Sequence, residues 1–101
     1  MTQNPEISLQ HNAERNAIEL FDGDQKIGEV DYLEAHTPDG AAAWNMVHTG
    51  VRPQHRNRGL ASQLVRFAME TAREHDRKVI PSCPYIQVWL RKNPDYQDLT
   101  S

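Results

Sequence analysis

The sequence predicts a mixed α/β (α+β) domain in which four mostly antiparallel strands are followed by a helix, a short strand and a second helix. Three observations predict it. Apolar and polar residues alternate through the first half between turn signals, the period changes to that of a helix at Leu60, and a short apolar run, Val79-Ile80, follows that helix. A chain of 101 residues has room for one domain, taken here as residues 1–101.

Each element has its own signal. Ile7 to His11 alternates with Ile7 and Leu9 on one face, and Ala17 to Phe21 sets Ile18 and Leu20 against Phe21. Asp22-Gly23-Asp24 is a turn, so the second run and the next, Gln25 to Glu34, read as a hairpin. In that return strand Ile27, Val30, Tyr32 and Leu33 change face near Val30, which predicts a bulge. After a second turn at Thr37-Pro38-Asp39-Gly40 comes Ala41 to Val51. This is expected to be the central strand, covered on both faces, with Trp44, Met46 and His48 on one and Val47, Thr49 and Val51 on the other.

From Leu60 to His75 the apolar residues Leu60, Leu64, Phe67, Ala68 and Ala72 recur at helical spacing, widened by Ala61, Val65 and Met69. Arg66, Glu70 and Arg73 take the wet side, and Arg73, His75, Arg77 and Lys78 gather at the C-terminal end, where they complement the helix dipole. Lys78 to Ser82 reads as a buried strand that Pro81 stops early or sets beside a gap in the sheet. Ile86 to Lys92 fits a short helix closed by Asn93-Pro94.

Composition narrows the function. No stretch approaches the roughly 18 apolar residues of a membrane span, and the N-terminus has neither a basic start nor an apolar run, so the expected location is cytoplasmic with no membrane partner. The single cysteine, Cys83, excludes an internal disulfide, and no cysteine, histidine and carboxylate spacing suggests a metal site. The charge is uneven. Residues 1–50 carry nine acids and two bases, residues 51–101 five acids and nine bases, so an anionic ligand belongs in the second half.

The densest positive charge is Arg52, Arg56 and Arg58, with His55 among them, just before Gly59. Here a strand ends, a basic loop follows, and a helix opens at a glycine whose neighbouring N–H groups are unobstructed, an arrangement suited to a phosphate or pyrophosphate. A solvated loop with an ordinary helix start is the plain alternative. Neither a Walker loop nor a dinucleotide fingerprint fits, because Gly59 has no Lys-Ser/Thr after it and no glycine two residues before it. Cys83, in Pro81-Ser82-Cys83-Pro84-Tyr85, lies just before a predicted helix that would favour a thiolate; the alternative is a small buried thiol that packs as a hydrophobe. His48 is open as a base or as a histidine satisfied by hydrogen bonds. Tyr85, Trp89 and Tyr96 read as packing anchors, since they are not interleaved with the arginines as a nucleic-acid surface requires.

The run Arg56-Asn57-Arg58-Gly59-Leu60-Ala61, between a strand and an amphipathic helix, matches the Gln/Arg-x-x-Gly-x-Gly/Ala signature of the GNAT superfamily of acetyl-CoA-dependent acetyltransferases. With His48-Thr49 before it, and Val79-Ile80-Pro81, Cys83-Pro84-Tyr85 and Asn93-Pro94-Asp95-Tyr96 after it, the chain resembles the minimal stand-alone members of that superfamily over residues 7–99. The resemblance implies that backbone around Arg58, Gly59, Leu60, Ala61 and Ser62 grips the coenzyme A pyrophosphate, with Arg56 in the same signature. It implies further that Thr49 to Val51 pairs with the pantetheine arm where two parallel strands splay, and that Cys83 lies near the thioester. Two positions depart from the pattern: Gly50 stands where an acidic residue is common, and Asn45 where larger histone-directed members place a catalytic glutamate.

The expected function is therefore acetyl transfer from acetyl-CoA to an amine of a protein or small molecule, with Cys83 and His48 as catalytic candidates and no metal. Two other classes remain in view. One is a non-enzymatic CoA or acyl-CoA sensor or adaptor; the other, a nucleic-acid binder using the arginine loop, is disfavoured by the acidic first half. The acceptor is not written in the sequence, because acceptor contacts belong to loops such as His36 to Gly40.

Overall fold

The computed structural model describes residues 6–100, and at positions 56–58 the backbone alone. Five strands form one sheet in the order β1-β2-β3-β4-β5: β1 Ile7–Asn12, β2 Ala17–Asp22, β3 Gln25–His36, β4 Ala42–Val51 and β5 Lys78–Pro81. The first four pair antiparallel, and β5 joins β4 in parallel. Between β4 and β5 the chain makes a 3-10 turn over Pro53–Arg58 and then the helix α1, Leu60–Glu74. After β5 come the helix α2, Pro84–Lys92, and a 3-10 segment, Pro94–Thr100, which the sequence reading did not anticipate. The expected order of four strands, helix, strand and helix is observed, with β5 one residue shorter and α2 two residues longer at its start.

Why α1 forms is visible in its burial. Leu64, Val65, Ala68, Met69 and Ala72 are fully buried and meet Ile18, Leu20, Val30, Tyr32, Trp44 and Met46 of the sheet in one core. Ile86, Trp89 and Leu90 of α2 join the same core, so both helices pack on one face of the sheet. The wet side of α1 is used too: Arg73 pairs with Asp98 at 2.9 Å and Arg66 donates to Asn93 Oδ1 at 3.3 Å, which straps the last segment to the helix. Asn93 ends α2 and Pro94 opens that segment, as Asn93-Pro94 suggested.

The expectations for β4 need correction. It lies between β3 and β5, while β3 occupies the middle of the sheet. Both of its edges are engaged, but its two faces are not both covered, because Val47 is 40 % exposed and His48 is exposed. Tyr32 pairs with Met46 and Asp31 with His48, leaving Val47 as an extra residue in β4. That bulge resets the alternation. Thr49 and Val51, opposite Val30 and Gly28, therefore share the helix-covered face with Trp44 and Met46, whereas His48 moves to the outer face. The bulge expected in β3 also exists, but at Ile27, which stands between Lys26 opposite Phe21 and Gly28 opposite Leu20.

Candidate active site

The pairing of β4 with β5 stops at Met46 and Pro81, and the Cys83 N–H then takes the Met46 carbonyl at 3.0 Å. Past that point the two segments diverge. A groove of about 320 Å³ opens there, lined by Thr49, Gly50, Val51, Ala61 and Tyr85. Thr49 and Val51 at the strand end, Ala61 in the first turn of α1 and the more distant Tyr85 are thus brought to one place.

Gly59 is the hinge between the 3-10 turn and α1. Its φ of +71° lies in the left-handed region that favours glycine, and a Cβ there would meet nothing within 4 Å. The backbone is therefore open to an approaching group. The first helical bond runs from Gln63 N to Gly59 O at 3.3 Å, so the N–H groups of Leu60, Ala61 and Ser62 lie ahead of the intrahelical ladder, where a pyrophosphate would take them. Ser62 also accepts a hydrogen bond from Trp89 Nε1 at 2.9 Å, which fixes α2 against this turn. The Arg56 and Arg58 side chains, expected to add to the anion site, lie outside the described residues.

Cys83 is the residue that caps α2 at its N-terminus and is buried. Its Sγ lies 3.5 Å from Thr49 Oγ1. The Cys83 S–H donates to Thr49 Oγ1; burial pushes the thiol up, but its interactions with the Thr49 hydroxyl and with the backbone of Ile86, Tyr85 and Thr49 outweigh it and hold the thiol below its ordinary value. Sequence reasoning named Cys83 for a helix start beside it, which is observed; the Thr49 hydroxyl was not foreseen as its partner. The bulge supplies it, because with Val47 paired in regular alternation the Thr49 side chain would point to the outer face.

His48 does not join them. It stands opposite Asp31, and its ring fills the space over Gly50, where a Cβ would meet Nε2 at 3.1 Å. Burial and the neighbouring Glu29 push the Asp31 carboxyl up, with His48 partly offsetting them, while the Lys26 hydrogen bond holds Glu29 down. Asn45, also on the outer face, accepts a hydrogen bond from Ser82 Oγ at 2.6 Å. Trp89 and Tyr96 are buried anchors as expected, but Tyr85 is 42 % exposed and forms a wall of the groove. No group of three or more His, Cys, Asp or Glu among the described residues is placed to hold a metal ion, and no helix is long and apolar enough to cross a membrane.

The family model described as GCN5-related N-acetyl-transferase matches residues 17–99. The chain belongs to this family. It is thereby an acetyltransferase of the GNAT fold, a mixed sheet with helices, and GNAT enzymes generally take acetyl from acetyl-CoA and pass it to an amine. Among curated proteins, the frog Xenopus tropicalis protein NATD1 is 29% identical over 97 residues, spanning 93% of this chain and 84% of its own. Human protein NATD1 is 36% identical over 50 residues, half of this chain and 44% of its own. A GCN5-like protein from Staphylococcus aureus, solved by NMR, superposes with a TM-score of 0.65 at 28% identity, covering 97% of this chain and 89% of that one. The ribosomal-protein-alanine N-acetyltransferase of Brucella melitensis biovar Abortus 2308 shares the fold, with a TM-score of 0.59 at 24% identity over 82% of this chain and 55% of that one.

Proposed function

We propose that this acetyltransferase uses acetyl-CoA and carries the acetyl group on Cys83 before passing it to an amine. The observation that carries the reading is the Cys83 thiol, held below its ordinary value at the start of α2 and 3.5 Å from the Oγ1 of Thr49, which lines the groove. The pyrophosphate would lie on the N–H groups of Leu60 to Ser62 and the pantetheine arm along Thr49 to Val51, with its thioester directed at Sγ.

In the first step the Cys83 thiolate attacks the thioester carbonyl and the C–S bond to CoA breaks, so the CoA thiolate leaves and takes a proton from solvent. In the second step a neutral amine attacks the acetyl-cysteine, the amide forms, and Cys83 leaves as thiolate. The amine nitrogen gives up one proton. An amine of pKa about 10.4 is almost wholly protonated at pH 7, so it must first lose a further proton, and both protons pass to a base or to solvent. Asn45 cannot serve, and His48, exposed on the outer face, is the side chain from which a water could be activated toward the open side of the sheet. A route through a thiolate also fits the reducing cytosol, where such a thiol stays unoxidised.

Intact mass tests the reading. After incubation with acetyl-CoA and no acceptor, wild type should gain one acetyl group and Cys83→Ser none, with ping-pong kinetics once an amine is supplied. Full turnover by Cys83→Ala with an amine, and no label on wild type, would overturn the cysteine route and leave direct transfer with His48 or water as base.

A further inference from the structure

The two bonds that close the split between β4 and β5 also shape its outer side. The Cys83 N–H takes the Met46 carbonyl at 3.0 Å, and one residue back on each segment Ser82 Oγ donates to Asn45 Oδ1 at 2.6 Å. That second bond fixes the Asn45 amide. Its Oδ1 is held by Ser82, while its Nδ2, with two hydrogens to give, has no partner among the described residues. Both helices cover the opposite face of the sheet, so acetyl-CoA on the helix side leaves this outer side to the acceptor.

The row of the sheet that holds Asn45 carries no charge. Leu33 of β3 stands opposite it on one side and Ile80 of β5 on the other, with Val47 two residues along β4. The charged groups of this face lie outside that row and are engaged: Glu29 with Lys26 at 2.5 Å, Asp31 opposite His48, and Lys78 on the Asp98 carbonyl at 3.0 Å. A cationic amine brought to Asn45 therefore loses hydration with no carboxylate in the row to replace it, which favours the neutral form. Amines differ greatly in how readily they supply that form. An α-amine of pKa about 7.7–8.0 is about one-tenth neutral at pH 7, a lysine amine of pKa about 10.4 only about four parts in ten thousand. The α-amine of a peptide also has a carbonyl one carbon away, an acceptor for the Asn45 Nδ2.

We propose that the acceptor is the α-amine of a peptide N-terminus, bound from the outer side with the carbonyl of its first residue accepting from Asn45 Nδ2. This acceptor rests on the reading that the acetyl group is presented at Cys83, and it makes Asn45 a specificity residue. The neutral nitrogen attacks the acetyl carbonyl on Cys83, the C–S bond breaks, and Cys83 leaves as thiolate. The one proton that the nitrogen sheds goes to water. An acceptor that arrives neutral needs no carboxylate base at position 45.

Two peptides of equal length test it, one with a free N-terminal alanine and no lysine, the other with a blocked N-terminus and one lysine. At pH 7 wild type should acetylate the first with a kcat/KM at least about tenfold higher, the protonation difference less what the more basic amine gains as a nucleophile. As the pH rises, the first rate should level off above about pH 8 while the second climbs on toward about pH 10. Asn45→Ala should raise the KM for the first peptide about five- to tenfold, as loss of one hydrogen bond allows, and move that for the second by less than about twofold. Circular dichroism checks that the variant folds. A lysine peptide that reacts as fast or faster at pH 7, or transfer to neither peptide while Cys83 takes the acetyl group, overturns the acceptor class. An unmoved KM in Asn45→Ala overturns the contact. Preference for the first peptide without label on Cys83 leaves the acceptor standing and removes only the cysteine step. If neither Cys83 nor a peptide is acetylated, the Cys83 reading falls and the acceptor with it.

Discussion

At the scale of single residues the site turns on one sulfur atom and one hydroxyl. The Cys83 thiol experiences burial, which disfavours the thiolate, and donors from α2 and β4, which favour it; the donors prevail. Thr49 contributes through both its hydroxyl and its backbone. Thr49→Val keeps the shape and the N–H but removes the hydroxyl, so the thiol should titrate at higher pH. Alkylation rates of Cys83 measured against pH would show the midpoint moving up, and an unmoved midpoint would mean that the α2 N–H groups alone set it. Much of this was legible in the sequence: a lone cysteine before a helix, and a glycine where a basic loop meets α1. Two things were not. Strict alternation puts His48 with Trp44 and Met46 because it carries no sign of an inserted residue, and periodicity does not distinguish a buried ring from one that, like Tyr85, borders an open groove.

Among the elements, β4 and α1 do most to shape the site. The Val47 bulge turns the second half of β4 over, so that Thr49 reaches Cys83 and Val51 joins the core. The helix-period signal, by contrast, needed no tertiary information, because six of the eight residues in the apolar stripe of α1 are buried in a single packed layer and the other two, Ala61 and Phe67, pack against it. Leu64 lies in that layer with none of its surface exposed, among side chains from β2, β3 and β4. Leu64→Ala should lower the unfolding free energy by about 2–5 kcal/mol, the range for a large aliphatic group removed from a packed core. Urea melts provide the measurement. A loss near zero would show that the helix face can collapse onto the gap. The 3-10 segment Pro94–Thr100 escaped the sequence reading for a related reason: it is held by Arg66, on Tyr96, and by Arg73, on Asp98, contacts that no local pattern announces.

Across the whole molecule, the acidic strand half and the basic helix half meet in an aromatic cluster at the far end of the sheet from Gly59. His11 of β1 lies 2.6 Å from the Tyr32 hydroxyl of β3, Tyr32 stacks on Trp44 of β4 at 4.2 Å, and His75, which caps α1, meets the His11 ring edge-on at 5.1 Å. Glu34 accepts from Trp44 Nε1 at 3.2 Å and pairs with Arg77 at 3.3 Å, which closes the cluster toward solvent. Burial first, and then the His75 ring, hold the His11 imidazole below its ordinary 6.5, with Glu34 partly offsetting them. The unfolded chain therefore binds this proton more readily than the folded one. Stability attributable to His11 is complete at neutral pH, begins to fall as the pH drops through about 6.5, and stops falling once the pH is beneath the folded value. His11→Gln keeps a hydrogen-bonding group toward Tyr32 but cannot take up a proton. Thermal melts between neutral pH and about pH 5 should show wild type losing stability more steeply than His11→Gln on acidification. Parallel pH profiles for the two proteins would place the acid sensitivity elsewhere in the charge distribution, with the carboxyl pair Glu29 and Asp31 on the outer face as the next groups to test.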